Sequence, residues 1–177
     1  AAGFYRTLLK GDNPGLVIEV LNGYRAKEEY PENLGEYQVP LGVAEVLHQG
    51  SDLTIVTYGA NVAIALSCVS DLEYLGISPE IIDVQTLIPF DKNKTILKSL
   101  RKTNKILFFD EDVPGGATSY MLQIVIEEQQ GFYELDSPPR TLTAVENRSA
   151  YGSDGDYFCK PNRDDLIDIC CEIIRES

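Results

Sequence analysis

Hydrophobic positions along this chain form short blocks that alternate between a strand pattern and a helix pattern. The run LTIVT at Leu53–Thr57 is apolar and β-branched, as expected for a strand buried on both faces. After Tyr58 and Gly59, apolar residues recur at helical spacing over 62–72, and Gly76 supplies a C-terminal stop. A strand followed by a helix is therefore the predicted unit.

The unit repeats through the middle of the chain. A strand is predicted around 81–84, and the helix after it has Asp91 as its expected N-cap. A third strand is predicted over 105–109, a third helix follows the Gly-Gly pair, and a fourth strand is expected over 141–145. Such alternation predicts parallel strands joined by right-handed crossovers.

The last helix carries complete boundary signals. Asn162 is a suitable N-cap, Asp164 and Asp165 favour the positive end of the helix, and Arg175 suits its negative end. With this helix packed on the sheet, the pattern predicts an α/β fold. It is a three-layer α/β/α arrangement with a mostly parallel, mixed sheet of about five strands.

The first 39 residues fit this pattern less well. AGFYRTLLKG indicates the end of a helix, GLVIEVL an apolar strand, and the charged, proline-punctuated stretch at 25–40 a linker. Because the chain opens at Ala1 without an initiator Met, we expect a piece of a longer protein. Exposed apolar surface is expected near Phe4, Leu8 and 17–21.

Composition narrows the possible partners. The 28 acidic and 15 basic residues give a net charge of -13, which disfavours nucleic acid and anionic membrane as partners and favours a basic protein partner. The alternative is that the charge serves only solubility. No apolar run approaches a membrane span and no leader-like segment opens the chain, so a cytoplasmic protein is expected.

Few residues could support nucleophilic or zinc chemistry. The four cysteines contain no C-x-x-C pair, and Cys68 and Cys170 lie in helical apolar patterns where a buried thiol is expected. The single histidine, His48, lies in a polar segment and is expected at the surface. YGSDGD at 151–156 lacks the spacing of a nucleophile elbow and is interpreted as a turn.

The stretch FFDEDVPGGATS at 108–119 has the most concentrated polar chemistry. Alternate residues of an extended chain would place Asp110 and Asp112 on one side, where they could hold a divalent cation. Gly115 and Gly116 could bind an anion before a helix, although the carboxylates oppose a phosphate. The favoured interpretation is a turn at the carboxyl edge of the sheet. A dinucleotide site is disfavoured because Gly59 has no second glycine after it.

Longer motifs resemble one enzyme family. They are YRAKEEYPENLGEYQVPLGVAEVLHQGSDLTIVTYGANV, IDVQTLIPFD, K-T-x-K-I-L-F-F followed by an acidic turn and Gly-Gly, and the closing P-x-x-D-D-L-I helix. In this order they resemble the β subunits of thiamine-diphosphate-dependent 2-oxoacid dehydrogenase E1 components, of the pyruvate and branched-chain type. Where that family has a histidine before the conserved glutamate, this chain has Asp110 followed by Glu111.

The resemblance implies a domain division and an activity. Residues 1–39 would be the tail of a pyrimidine-binding domain plus linker, and 40–177 a transketolase C-terminal-like domain. The complete enzyme would oxidatively decarboxylate a 2-oxoacid with thiamine diphosphate and Mg, and pass the acyl group to lipoyl-E2. The family's catalytic, cofactor and metal ligands lie outside this segment, so we assign none here and expect the chain alone to be inactive and to bind neither cofactor.

The resemblance also implies partners. They are the E1 α part, a second β copy and the basic subunit-binding domain of the E2 lipoyl acyltransferase, with Asp136 matching an acidic position near the docking face. Asp136 could instead only cap the turn before Pro138. Alternatives for the whole chain are the matching domain of transketolase or deoxyxylulose phosphate synthase, an acidic stand-alone binding module, or a nucleotide-binding flavodoxin-like domain. The sequence does not indicate which 2-oxoacid is used or whether the β region is a separate subunit or fused to the α part. It also leaves the oligomeric state open.

Overall fold

The computed structural model describes residues 1–25, 27, 32–33, 35–148, 151–152 and 155–176. Within these, the helices and strands in chain order are α1 (Ala2–Leu9), β1 (Glu45–His48), β2 (Leu53–Thr57), α2 (Ala60–Tyr74), β3 (Pro79–Asp83), α3 (Thr95–Thr103), β4 (Ile106–Phe109), α4 (Ala117–Leu122), β5 (Arg140–Leu142), α5 (Gly155–Cys159) and α6 (Arg163–Arg175). A π-helical segment, Gln123–Glu128, continues α4, and 3-10 turns cover Leu21–Arg25 and Gly131–Glu134.

One mixed sheet organises these elements. Its five strands have the order β1-β3-β2-β4-β5, and every neighbouring pair is parallel except β1 with β3. In the central strand, Ile55 lies opposite Ile81 on one side and Leu107 on the other. The predicted α/β class with a mostly parallel sheet of about five strands is confirmed.

Helices cover both faces of the sheet, because alternate strand residues point to opposite sides. One core contains side chains from β2, β3, β4, α3 and α4: Val56, Ile82, Phe108, Ile96, Leu100 and Met121. The other contains side chains from the same strands, α2 and α6: Ile55, Ile81, Leu107, Cys68, Leu72, Leu166 and Cys170. These two cores make the three-layer arrangement.

The structure adds an edge strand that the sequence pattern did not predict. Strand β1 pairs antiparallel with β3, and its register shifts between Val46 and His48. Glu45 and Leu47 are exposed, so the strand shows no buried apolar run. His48, which was expected at the surface, is partly exposed: 27% of its side chain is accessible, and its Nδ1 lies 2.8 Å from the Pro79 carbonyl oxygen.

The predicted strand GLVIEVL was wrong. Helix α1 forms as expected, but residues 14–20 are neither helix nor strand, and Leu21 begins a 3-10 turn. A strand needs a hydrogen-bonding neighbour, and none of the described strands pairs with this segment. Exposed apolar surface is confirmed at Ile18 and Leu21, which are 84% and 80% exposed. Phe4 and Leu8 are instead half-buried.

Helix and strand ends follow the sequence signals with small shifts. Asp91 caps α3 from four residues before its start, accepting from the Thr95 and Ile96 N–H groups at 2.8 and 2.9 Å. Asn162 forms the expected capping box with Asp165. The fourth predicted strand is shorter than expected because β5 ends at Leu142.

Two predicted segments fall partly outside the residues that the structure describes. Most of the charged centre of the predicted linker, including Glu28, Glu29 and Tyr30, lies outside the described residues. Ser153 and Asp154 of the predicted YGSDGD turn lie outside them as well. Among the helices that are described, none has the length and apolar composition needed to cross a membrane.

Candidate functional site

The order of the strands defines a crevice at the carboxyl edge of the sheet. From β2 the chain crosses to β3 on one side, and after β3 it crosses to β4 on the other side of β2. The loops that leave β2 and β4 therefore diverge, and open α/β sheets place ligands and interfaces at such a point. Here those loops are Tyr58-Gly59 and residues 110–116.

Tyr58 and Asp110 meet at this point across the two neighbouring strands. The Tyr58 hydroxyl donates to Asp110 Oδ1 at 2.9 Å. Asp110 is 1% exposed, and its Oδ2 has no hydrogen-bond partner among the described residues. Burial raises the pKa of the Asp110 carboxyl, and donation from Tyr58 opposes the rise. Burial, followed by the Asp110 charge, also raises the pKa of Tyr58.

The turn after Asp110 does not build a metal site. Asp110 is buried while Asp112 is exposed, so the two carboxylates do not share one side as the extended pattern suggested. Asp112 Oδ1 instead accepts from the Val113 N–H at 2.8 Å, and Glu111 pairs with Lys160 at 3.0 Å. In the described part of the chain, no group of three His, Cys, Asp or Glu side chains could hold a metal ion.

The glycine pair after this turn permits a tight entry into α4. Gly115 has φ +89, a backbone conformation that strains residues with a side chain, whereas Gly116 is in the ordinary negative range. The side chain of Asp112 lies against Gly116, so a carboxylate occupies the space in front of the helix start. The Asp112 carboxylate would repel a diphosphate at this entry to α4, because like charges at close range oppose each other.

Two of the four cysteines are buried thiols inside the core beneath α2 and α6. Cys68 and Cys170 are fully buried, as predicted, and burial raises the pKa of both thiols. His48 lies at the amino end of β3, where its Nε2 is 3.5 Å from Glu73 Oε1. No imidazole therefore lies beside a thiol in the way that nucleophilic catalysis requires.

Asp136, the predicted partner-binding residue, lies at the opposite end of the sheet. Its backbone N–H donates to the Asn104 carbonyl at 2.9 Å, just before β4 begins, whereas Asp110 follows the end of that strand. The Asp136 side chain is exposed and makes no hydrogen bond with any residue that the structure describes. The alternative turn-capping role thus has no supporting contact.

Sequence reasoning identified Asp110 but missed its partner. Tyr58 follows a buried strand, and an aromatic residue there is equally typical of simple packing. The sequence offered one indication of the pair: Tyr58 and Asp110 each directly follow a predicted strand. To use it, one must know that these two strands are neighbours in the sheet. The structure does not bring Asp110 and Asp136 together.

Sequence comparison places the chain among E1 relatives. It is 38% identical over 144 residues to a pyruvate dehydrogenase E1 component subunit beta from Mesostigma viride, covering 81% of this chain and 43% of that protein. It is 34% identical over 143 residues to the 2-oxoisovalerate dehydrogenase subunit beta of Bacillus subtilis (strain 168), covering 80% and 42%. The chain thus spans about two fifths of the length of these curated relatives.

Structural comparison supports the same fold. A split gene transketolase, described as an inactive beta4 tetramer, matches with a TM-score of 0.62 and 23% identity, covering 80% of this chain and 44% of that one. The family model for the transketolase C-terminal domain matches residues 42–155, which carry all five strands and the helices between them. The chain therefore belongs to the transketolase C-terminal domain family.

Proposed function

We propose that this chain is the C-terminal region of a 2-oxoacid dehydrogenase E1 β subunit, with subunit assembly and docking as its own role. The observation that carries this proposal is its similarity to two E1-type β subunits, each over about four fifths of the chain. Transketolase is the weaker candidate, because the matching structure has only 23% sequence identity and supports the fold alone.

The complete enzyme would oxidatively decarboxylate a 2-oxoacid and transfer the acyl group to lipoyl-E2. Thiamine diphosphate with Mg would supply the electron sink for that decarboxylation. No described cluster of this chain suits the metal, and the carboxylates before Gly116 disfavour the diphosphate. We therefore propose that the chain alone binds neither group and is inactive.

Assembly with an E1 α part and a second β copy is the first element of the proposed role. We propose that residues 1–39 belong to a preceding domain and 40–177 to the docking domain. The exposed apolar residues of the first part support this division, because single soluble domains rarely leave such a segment uncovered. They are Leu9, Leu16, Ile18 and Leu21, each at least 80% exposed.

Docking of a basic E2 subunit-binding domain is the second element. Asp136 is exposed, and close before it in sequence lie Phe132 and Tyr133, which are 65% and 81% exposed. Glu134 lies between Tyr133 and Asp136 in the sequence and is already paired with Arg101 at 3.0 Å. An unpaired exposed carboxylate and exposed aromatic rings are each favourable contacts for Lys or Arg, and the net charge of -13 would steer a basic partner toward the chain.

Titration calorimetry with a basic E2 subunit-binding domain tests this function. The chain, an Asp136→Lys variant and an Asp12→Lys variant are compared at about 20 and 200 mM salt. Asp12→Lys is the matched control, because it makes the same charge change at an exposed position near the N-terminus. We expect binding that weakens with salt and falls about tenfold or more in Asp136→Lys, but much less in the control.

The same titrations separate the two elements of the proposal. Absence of E2 binding would overturn the docking role and leave assembly as the function of the domain. Equal loss in both lysine variants would show that total charge, rather than Asp136, determines binding. Thiamine diphosphate is titrated separately, and a saturable heat with the chain alone would contradict the proposed division of the active site.

A further inference from the structure

Helix α3 is basic in an otherwise acidic chain. Residues 92–105, which contain this helix, carry six of the fifteen basic residues and no acidic residue, although the net charge of the chain is -13. The six are Lys92, Lys94, Lys98, Arg101, Lys102 and Lys105. All the carboxylates therefore belong to other parts of the chain, and 92–105 form a compact segment of the opposite charge.

The cations of α3 lie on one side of the helix. The side that packs on the sheet is buried, and every exposed position of the helix carries a cation. These positions are Lys98, Arg101 and Lys102. The N-cap, Lys94, is also exposed and lies one turn before Lys98. Because spacings of three and four residues place side chains on one face, these four form a single surface, the basic face of α3.

Two cations of the basic face are paired within the fold, and two are not. Arg101 pairs with Glu134 at 3.0 Å, and Lys102 pairs with a buried glutamate. The side chains of Lys94 and Lys98 have no hydrogen bond or ion pair with any residue that the structure describes. Both lie at the start of the helix, where the positive end of the helix dipole disfavours a cation. The stability of α3 therefore does not account for these two lysines.

The basic face has a rigid support. The Thr54 hydroxyl of β2 lies 2.6 Å from that of Ser99 and 2.7 Å from that of Thr103, both on the buried side of α3. At the start of the helix, Asp91 accepts hydrogen bonds from the first N–H groups. Both ends of α3 are thus attached to the fold. The backbone positions of the lysines are therefore fixed before a partner arrives, which lowers the entropic cost of binding.

An exposed aromatic pair borders the C-terminal end of the basic face. The 3-10 turn Gly131–Glu134 is attached to the end of α3, because Asn104 Nδ2 donates to the Glu134 carbonyl at 2.8 Å. Within this turn Phe132 and Tyr133 stand edge to face with ring centroids 5.8 Å apart, and they are 65% and 81% exposed. The surface therefore offers an apolar contact beside the cations.

We propose that the basic face of α3 docks an acidic helix of a partner protein, which places an apolar side chain on the Phe132–Tyr133 pair. Charge complementarity selects this occupant. From Lys94 to Lys102 the face rises about 12 Å, or about two helical turns, so carboxylates spaced three or four residues apart on a second helix match it.

The charge of the whole chain favours a protein helix over other anionic partners. A nucleic acid or an anionic membrane carries negative charge well beyond a face of this length, and it would meet the excess carboxylates of the chain. A protein helix can confine its carboxylates to two turns. The proposal does not rest on E2 docking at Asp136, because the partner proposed there has the opposite charge.

Fluorescence anisotropy with labelled helical peptides tests the proposal. The probe is an alanine-based helix of about 16 residues, with three glutamates on one side at spacings of four and three and a leucine beside them. One control peptide has lysine in place of each glutamate, and another distributes the same glutamates around the helix. We expect the probe to bind, the lysine peptide not to bind, and the rearranged peptide to bind about fivefold more weakly or worse.

Variants of the chain locate the site. Lys98→Glu is expected to weaken binding of the probe about fivefold or more, because it reverses a charge in the middle of the basic face. Lys27→Glu makes the same change at an exposed lysine outside α3 and should weaken it less than about twofold. Circular dichroism establishes that both variants keep the fold. Equal loss in the two variants would overturn the assignment to this face.

The peptides test the occupant without depending on any variant. Equal binding of the rearranged peptide would overturn the match to a helix with carboxylates on one side. A single-stranded DNA of about 12 nucleotides that binds more tightly than the probe would overturn the choice of a protein partner. Failure of the probe to bind at about 1 mM would overturn the proposal as a whole. None of these titrations contains an E2 domain, so their outcome is separate from that of the docking role.

Discussion

At the scale of single residues, the half-buried Tyr58 donates a hydrogen bond to the buried carboxyl group of Asp110. The carboxyl accepts one hydrogen bond through Oδ1 while Oδ2 stays unpaired, and burial raises its pKa. The raised pKa means that the folded chain holds the Asp110 proton more tightly than the unfolded chain does. This contribution to stability is fully present below about pH 3.9 and is lost as pH rises through the native pKa.

We therefore expect the free energy of unfolding of the wild type to fall relative to Asp110→Asn as pH rises from about 4 to 7. Each unit by which the native pKa exceeds the unfolded one corresponds to about 1.4 kcal/mol. Urea unfolding of both proteins at several pH values measures the difference between their free energies of unfolding. The other carboxyl groups are common to both proteins, so their contributions cancel in this difference. A difference that stays constant with pH would contradict the prediction.

Removal of the Tyr58 hydroxyl should lower the free energy of unfolding more at high pH, where Asp110 is ionised, than at low pH, where it is protonated. Tyr58→Phe leaves the Asp110 carboxylate without its donor, which costs about 1–3 kcal/mol where the carboxyl is ionised and less where it is protonated. Urea unfolding of Tyr58→Phe across the same pH range provides the measurement. A cost that is largest at the acidic end would show that the hydroxyl does not stabilise the ionised form.

Sequence alone was informative for residues whose role depends on close neighbours in the chain. Asn162 was predicted as a cap because the N–H groups that it accepts from are only two and three residues away. Cys170 was predicted as buried because its helical stripe is apolar. The bond between Tyr58 and Asp110 spans 52 positions, so it depends on strand order, which no local pattern encodes.

At the scale of elements, a small hydroxyl network attaches α3 to the central strand. Thr54 Oγ1 lies 2.6 Å from Ser99 Oγ and 2.7 Å from Thr103 Oγ1, and all three residues are buried. Thr57, on the same strand, is equally buried, but its hydroxyl has no partner among the described residues. The same strand thus contains one buried threonine whose hydroxyl is hydrogen-bonded and one whose hydroxyl is not.

Replacement of each threonine by valine should therefore have different effects. Thr54→Val removes the shared partner of two buried hydroxyls and is expected to cost about 1–3 kcal/mol. Thr57→Val replaces an unpaired buried hydroxyl by a methyl group and is expected to be neutral or to stabilise by up to about 1 kcal/mol. Thermal and urea unfolding compare the pair directly. Equal destabilisation by both would mean that strand geometry, rather than hydrogen bonding, sets the cost.

The accuracy of the predicted elements depended on whether each had a partner in the fold. β2 and β4 are buried runs in the middle of the sheet, and their apolar pattern is a direct result of that position. The pattern failed for residues 15–21, which are apolar but have no strand beside them. It also failed for β1, whose exposed edge position allows polar residues such as Glu45.

At the scale of the whole molecule, long-range repulsion accompanies the net charge of -13. Such repulsion opposes the compact state and is screened by salt, because the Debye length falls from about 30 Å at 0.01 M to about 8 Å at 0.15 M. The ion pair between Arg101 and Glu134 is partly exposed, so it loses little when it is screened.

We expect the free energy of unfolding to rise by several tenths of a kcal/mol between these two salt concentrations. Urea is the suitable denaturant because it is uncharged, and choline chloride beside sodium chloride separates screening from binding of a particular cation. A decrease in stability with both salts would show that attractive ion pairs outweigh the repulsion of the excess carboxylates.

The division of the interior by the sheet has a practical consequence for protein engineering. The two cores have no residue in common, and Met121 belongs to one while Leu166 belongs to the other. Effects of substitutions at distant positions without shared partners usually add. Libraries that vary one helical layer could therefore be selected separately from libraries that vary the other, and the best sequences of each recombined in one chain.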